Sequence, residues 1–228
     1  GWRKITVVQV FRLLTVFAAM VTVVACSPGA SAPAENSIIG TKAVIQAHGN
    51  ELLLEVKDVA AGTVISEITD WNGQFVSKRH YYRGLYPIAG TEGATQWELD
   101  FDVTKIDSLF PLTIGSSTNF SGTMIDISNN RTYKFWSRIL VKAKKPFLLP
   151  SGTQEVYILK IKTEYDMNGE NRRSYETIYY SPELQLNLKG VMHDEASQRY
   201  WRVVSIVPPT EDGLVNTPRR RRAGTVMI

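Results

Sequence analysis

From about Thr41 onward, apolar and polar residues alternate in short runs with period two. The run TQWELDFDV sets Trp97, Leu99, Phe101 and Val103 on one side, with Gln96, Glu98, Asp100 and Asp102 on the other. That alternation predicts a half-buried strand. YKFWSRILVKA sets Tyr133, Phe135, Ile139 and Val141 against Lys134, Arg138 and Lys142. VYILKIKTEY sets Tyr157, Leu159, Ile161, Thr163 and Tyr165 against Lys160, Lys162 and Glu164. Aromatic and β-branched residues dominate these runs, as pleated surfaces prefer. Turn chemistry separates them: DWNGQ, ISNNRT, Pro150-Ser151-Gly152, DMNGENR and HDEASQ. Asn72-Gly73 and its analogues supply the positive φ angles of tight hairpins. Only VTKIDSL invites a helix, of one or two turns. The pattern predicts an all-β domain over residues 41–208, a single antiparallel meander forming a curled sheet, a sandwich or a partly open barrel.

Upstream the pattern changes. Arg3, Lys4 and Arg12 precede an uncharged run from Leu13 to Ala25. A basic start, an apolar run of about 7–15 residues and a small residue at its end describe a secretory signal. A permanent span needs about 20 apolar residues, and Arg12 interrupts the longer run. Residues 1–25 therefore read as a signal peptide. Val23-Val24-Ala25-Cys26 resembles the lipobox of bacterial lipoproteins, although leucine is commoner where Val23 stands. The resemblance implies cleavage before Cys26, lipidation of that cysteine and anchoring to the membrane through it. By the same resemblance three acyl chains are attached, and two or more give stable anchoring. Ordinary secretion with cleavage after Ala25 is the alternative. Ser27 stands where an aspartate favours inner-membrane retention, so the outer membrane is preferred over the inner. Residues 26–40, rich in Ser, Pro and Ala, read as a lipidated N-terminus and flexible tether. Cys26 is the only cysteine, so an exported domain does without disulfides.

The net charge of +4 belongs to the two ends. Of 26 Lys and Arg, three lie in the signal segment and four at Arg219, Arg220, Arg221 and Arg222, leaving 19 against 22 acids. A nucleic-acid-binding domain would carry a clustered basic face instead, so nucleic acid is disfavoured as a partner. Residues 209–228 read as a basic tail. Its arginines are either a solvated, disordered end or an electrostatic contact with an anionic surface.

Catalytic spacings are missing. His48, His80 and His193 are far apart, and neither H-E-x-x-H nor G-x-S-x-G occurs. No cofactor is implied. Glu98, Asp100 and Asp102 stand at alternate strand positions, about 7 Å apart. They are calcium candidates if a loop adds oxygens, or else a solvated face that discourages edge pairing. The adjacent pairs Tyr81-Tyr82, Tyr179-Tyr180 and Tyr200-Trp201 give one ring to each face of a sheet. On a concave face they suit an apolar tail or a sugar; otherwise they are core and amphipathic surface. The stretches LTIGSSTNFSG, LPSGTQEVYILKIKT and IYYSPELQLNLKG, between Leu112 and Gly190, resemble uncharacterised periplasmic β domains. That resemblance implies a fold and no activity. The expectation is a non-enzymatic envelope lipoprotein whose β domain binds an envelope protein, lipid or glycan. A carrier for an apolar ligand is the alternative, requiring a cavity of about 300 Å³ or more. A glycan or peptidoglycan hydrolase is the third reading, requiring convergent polar groups in one cleft.

Overall fold

The computed structural model describes residues 35–194 and 197–209. Cys26 and Arg219–Arg222 lie outside these residues. The described chain forms twelve antiparallel strands in one closed barrel. They are β1 (Lys42–Ala47), β2 (Asn50–Ala60), β3 (Thr63–Thr69), β4 (Phe75–Tyr82), β5 (Tyr86–Glu92) and β6 (Thr95–Phe101). A helical turn α1 (Thr104–Asp107) follows. Then come β7 (Ser117–Asp126), β8 (Arg131–Leu149), β9 (Gly152–Met167), β10 (Glu170–Ser181), β11 (Leu186–Asp194) and β12 (Gln198–Val207). Each strand pairs with the next, and β12 returns to β1 with Val207 opposite Lys42. Closure removes the unpaired edges that an open meander would expose. Among the described residues, no helix is long and apolar enough to cross a membrane.

The local chemistry explains the meander. At Asp70–Gln74 the Asp70 carboxylate accepts hydrogen bonds from the Asn72 and Gln74 amides at 2.8 and 2.9 Å. Gly73 takes the positive φ that this turn requires, at 78°. Asn168 and Gly169 both have positive φ, as a two-residue hairpin with right-handed twist demands. On β6 the polar residues Gln96, Glu98 and Asp100 are exposed, while Trp97, Leu99 and Phe101 are half-buried, as their alternation predicts.

An even number of strands in up-and-down order brings the chain in and out at the same end. The turns after β2, β4, β8 and β10 lie there with α1. Ile106 and Leu109 of the α1 region are buried and fill that end together with Leu85. The 3-10 turn Glu35–Ile38 belongs to the fold as well. Ile38 is buried against Ala43 and Ile206, within the stretch the sequence pattern assigns to the tether.

Burial is split into two clusters. One gathers Tyr86, Phe120, Phe135, Ile139 and Leu159 from β5–β10. The other gathers Leu54, Val56, Val64, Leu188 and Val203 from β1–β3, β11 and β12. A register shift between Val141 and Ala143 divides the β8–β9 hairpin between them. Leu159, Ile161 and Thr163 of β9 are buried at odd positions, but Val156 and Ile158 at even ones. One extra residue reverses the faces, so the hairpin tip sends Phe147, Leu149 and Val156 to the second cluster.

Candidate functional site

The second cluster does not fill its half of the barrel. A cavity of about 310 Å³ remains between β1–β4 and β11–β12. Its walls repeat the strand period: Ile45 and Ala47, Leu52 and Leu54, then Val64, Ser66 and Ile68. Ser77, Arg79 and Tyr81 continue the wall on β4, with Trp201 on β12. Ala47, Ser66 and Ser77 are small at positions where a filled core would carry larger side chains. Trp201 lies flat against Gly190, where a Cβ would stand 2.4 Å from its Nε1. Glycine at that position lets the indole form a wall. The cavity runs from Ala47, Leu52, Ile68, Val76 and Glu92, beside the turns of one end, toward Gly84 and Gln185 in turns of the other. Trp71, Phe75 and Val76 are exposed on the β3–β4 hairpin beside this mouth.

The floor is tied by polar bonds. Arg83 Nε donates to Asp107 Oδ1, and Tyr82 Oη donates to Asp107 Oδ2 at 2.9 Å. Tyr180 Oη donates to the Arg83 carbonyl at 2.6 Å. The Arg83 guanidinium stacks 4.7 Å over the Phe110 ring. The Tyr82 hydroxyl is pushed above its ordinary pKa by burial, and further by the Asp107 carboxylate.

Few polar groups face the cavity, and two are incompletely bonded. Arg79 pairs through Nη2 with Glu92 at the rim. Its Nε is buried without a hydrogen-bond partner. Asn187 Nδ2 donates to the Leu85 carbonyl at 2.9 Å, while its Oδ1 is buried and unpaired. Glu176 of β10 is half-buried, and desolvation raises its carboxyl to about 6 against the opposing attraction of Arg79. On its other side, burial first and the Glu176 carboxylate second push the Tyr165 hydroxyl up to about 12. Burial pushes Tyr86 up as well, with Ser137 and Thr163 bonding it in part compensation. A second hollow, of about 390 Å³, lies at the β8–β9 hairpin tip among Lys144, Lys145, Pro146 and Glu155. Both lysines and Glu155 there are exposed to solvent.

The residues that the sequence pattern singles out take several places. Glu98, Asp100 and Asp102 are exposed at β6 and its end. Bonds from the Thr104 hydroxyl and amide hold the Asp102 carboxyl below its usual range. Among the described residues, no group of three or more His, Cys, Asp and Glu is placed to hold a metal ion. His48 lies in the β1–β2 turn, His80 on β4 and His193 on β11. Burial and Lys78 lower the pKa of His80. Each aromatic pair divides: Tyr81 and Trp201 line the cavity, and Tyr180 is buried in the first cluster. Tyr82 goes to the floor, Tyr179 packs near Phe147, and Tyr200 is exposed. The pattern does not single out Arg79, Asn187 or Glu176. Arg79 shares its parity with Ser77 and Tyr81, and Glu176 with Ile178 and Tyr180, and that parity is the signal by which they could be found.

No family model matches the chain, and no curated protein does either. Among solved structures it is similar to the hypothetical lipoprotein YmcC from Escherichia coli. Identity is 5%, covering 76% of this chain and 89% of that one, with a TM-score of 0.51. A candidate exported protein with a YmcC-like fold from Bacteroides fragilis is 12% identical over 74% of this chain and 96% of that one, TM-score 0.46. A candidate lipoprotein from Parabacteroides distasonis is 13% identical over 74% and 95% respectively, TM-score 0.38. At such identities the likeness to the first of these is one of fold, shared over most of both chains.

Proposed function

We propose that this chain is a non-enzymatic, lipid-anchored protein of the bacterial cell envelope that holds an apolar molecule inside its barrel. The observation that carries the reading is the cavity of about 310 Å³ with mostly apolar walls, within the range of ligand sites, ~300–1,000 Å³. Support for the address comes from the lipobox-like Val23–Cys26 and from the lipoprotein description of the similar Escherichia coli structure. The outer membrane is the preferred location, on the residue Ser27. Because β1 begins opposite the end of β12, an anchor upstream of β1 attaches at the floor.

Native mass spectrometry of the full chain from cell envelopes should find it carrying an apolar molecule. Ala47→Trp, at the rim, should empty the barrel while leaving the fold intact. An unliganded wild type that also ignores fluorescent alkyl probes would end the ligand-binding reading. For the address, Cys26→Ser should release the chain from membranes, and globomycin should accumulate its precursor. Unchanged processing in both would remove the anchor.

A further inference from the structure

The apolar walls explain why a hydrocarbon would enter, but not why Arg79 and Asn187 line the same cavity. Each presents a buried polar atom with no partner: a donor at Arg79 Nε and an acceptor at Asn187 Oδ1. Native proteins rarely leave such groups unpaired, and each one demands an account. Each side chain is anchored through another of its polar atoms, Arg79 through Nη2 to Glu92 and Asn187 through Nδ2 to the Leu85 carbonyl. That second bond fixes which amide atom of Asn187 is the free acceptor.

Charge narrows the chemistry. Arg79 is the cationic side chain of the cavity wall, and Glu92, the acidic one, already neutralises it. Glu176 faces Arg79 from β10 and feels its field, adding acid to the same interior. No surplus positive charge remains to repay the desolvation of an anion. A neutral group with matching donor and acceptor meets no such cost.

We propose that the ligand is a neutral amphiphile, an apolar body bearing a hydrogen-bond acceptor for Arg79 Nε and a donor for Asn187 Oδ1, as a carboxamide or a hydroxy ester does. This proposal rests on the ligand-binding reading above and adds the polar half of the ligand. A ligand that bonds both atoms leaves neither buried and unpaired, and it meets the condition under which displacing water does not lose affinity.

Four probes of one chain length separate the possibilities in titrations of the full chain: decane, methyl decanoate, decanamide and decanoate. Decanamide should bind about tenfold or more tightly than decane, the scale of one hydrogen bond to a charged group. Methyl decanoate, with an acceptor only, should fall between them, and decanoate should bind more weakly than decanamide. Arg79→Met keeps an unbranched stem without the donor. It should weaken decanamide and methyl decanoate about tenfold and leave decane within about twofold. Asn187→Leu should weaken decanamide and spare methyl decanoate. Thermal melts and retained decane binding show that each variant is folded, and the wild-type order alone tests the proposal if Asn187→Leu does not fold. Equal binding of decane and decanamide would overturn it and leave the cavity as a site for plain hydrocarbon. Decanoate binding tightest would overturn it in favour of an anion. Binding of none of the four would remove the ligand-binding reading and this proposal together.

Discussion

The β5–β10 half of the barrel and the half made of β1–β4, β11 and β12 are built from strands of the same kind, yet one is solid and the other hollow. In the solid half Phe120 stacks on Phe101 with centroids 4.7 Å apart, and Tyr86 meets it edge-on at 5.1 Å. Phe135 closes the group from β8. In the hollow half, small Ala47, Ser66 and Ser77 stand among the inward positions, and the rings of Tyr81 and Trp201 form wall around the space. Rings bury the most surface and make the most contacts per side chain. Small residues give up that packing, and the space they leave persists because the barrel is closed and its hydrogen bonds hold the strands apart. The comparison separates two duties of a barrel interior. One half supplies stability, and the other supplies room.

The widest test of that division removes one large side chain from each half. Phe120→Ala should cost about 3–5 kcal/mol, because a well-packed ring leaves a cavity its neighbours cannot fill. Leu52→Ala should cost less than about 2 kcal/mol, because Leu52 is half-buried and already borders open space. Denaturant melts of both variants check the pair. Equal losses would mean that the hollow half is packed as tightly as the solid one.

Much of this fold is legible in the order of residues alone. The alternation in β6, β8 and β9 and the Asn-Gly turns give the meander its faces and its hairpins. Closure is not legible, because it depends on β12 meeting β1 across the whole chain, and no local pattern encodes that pairing. The cavity enters the sequence reading only as a requirement of the carrier alternative. Its position follows from Ser66, Ser77 and Ala47 falling on inward parity together, and small residues give no periodic signal of their own. Arg79 and Glu176 are hidden for a related reason. Sequence patterns assign charged residues to the outer face, and these two occupy the inner one. Tyr82 illustrates a third limit: adjacent rings predict one inward and one outward, but a bulge between His80 and Tyr81 and the α1 floor give Tyr82 its own partner.

Glu176 links the halves, with Arg79 on one side and Tyr86 and Tyr165 on the other. Its carboxyl is raised from 4.5 to about 6 in the folded chain. The folded state therefore holds this proton more tightly than the unfolded one. The resulting stabilisation is complete below pH ~4.5 and is lost as pH rises through about 6, a change of about 2 kcal/mol. Asp102, Asp126 and Glu164, whose pKa values are lowered, work in the opposite sense under more acidic conditions. The isolating measurement is thus a difference between variants. Glu176→Gln should be more stable than wild type by about 2 kcal/mol near neutral pH, with the gap closing toward pH ~4.5. A gap that stays constant across that window would show that the effect is not protonation.

The smallest expected effect lies at the rim. The Arg79–Glu92 pair is partly open to solvent, with side chains 32% and 44% exposed. Pairs of that kind contribute about 0–1 kcal/mol, so Glu92→Gln should move the melting temperature by no more than about 2–4 °C. Its effect on binding should be clearer than its effect on folding. Removing the carboxylate leaves the Arg79 charge unbalanced inside an apolar cavity, so an anionic probe becomes better tolerated. Decanoate should gain on decanamide by a few-fold, the scale of one exposed pair. A change in ligand preference without a change in stability would sharpen the contrast between a half that holds the barrel together and a half that chooses what enters. A loss of stability as large as that of Phe120→Ala would break it, because the rim pair would then be part of the packing and the hollow half would not be free to vary.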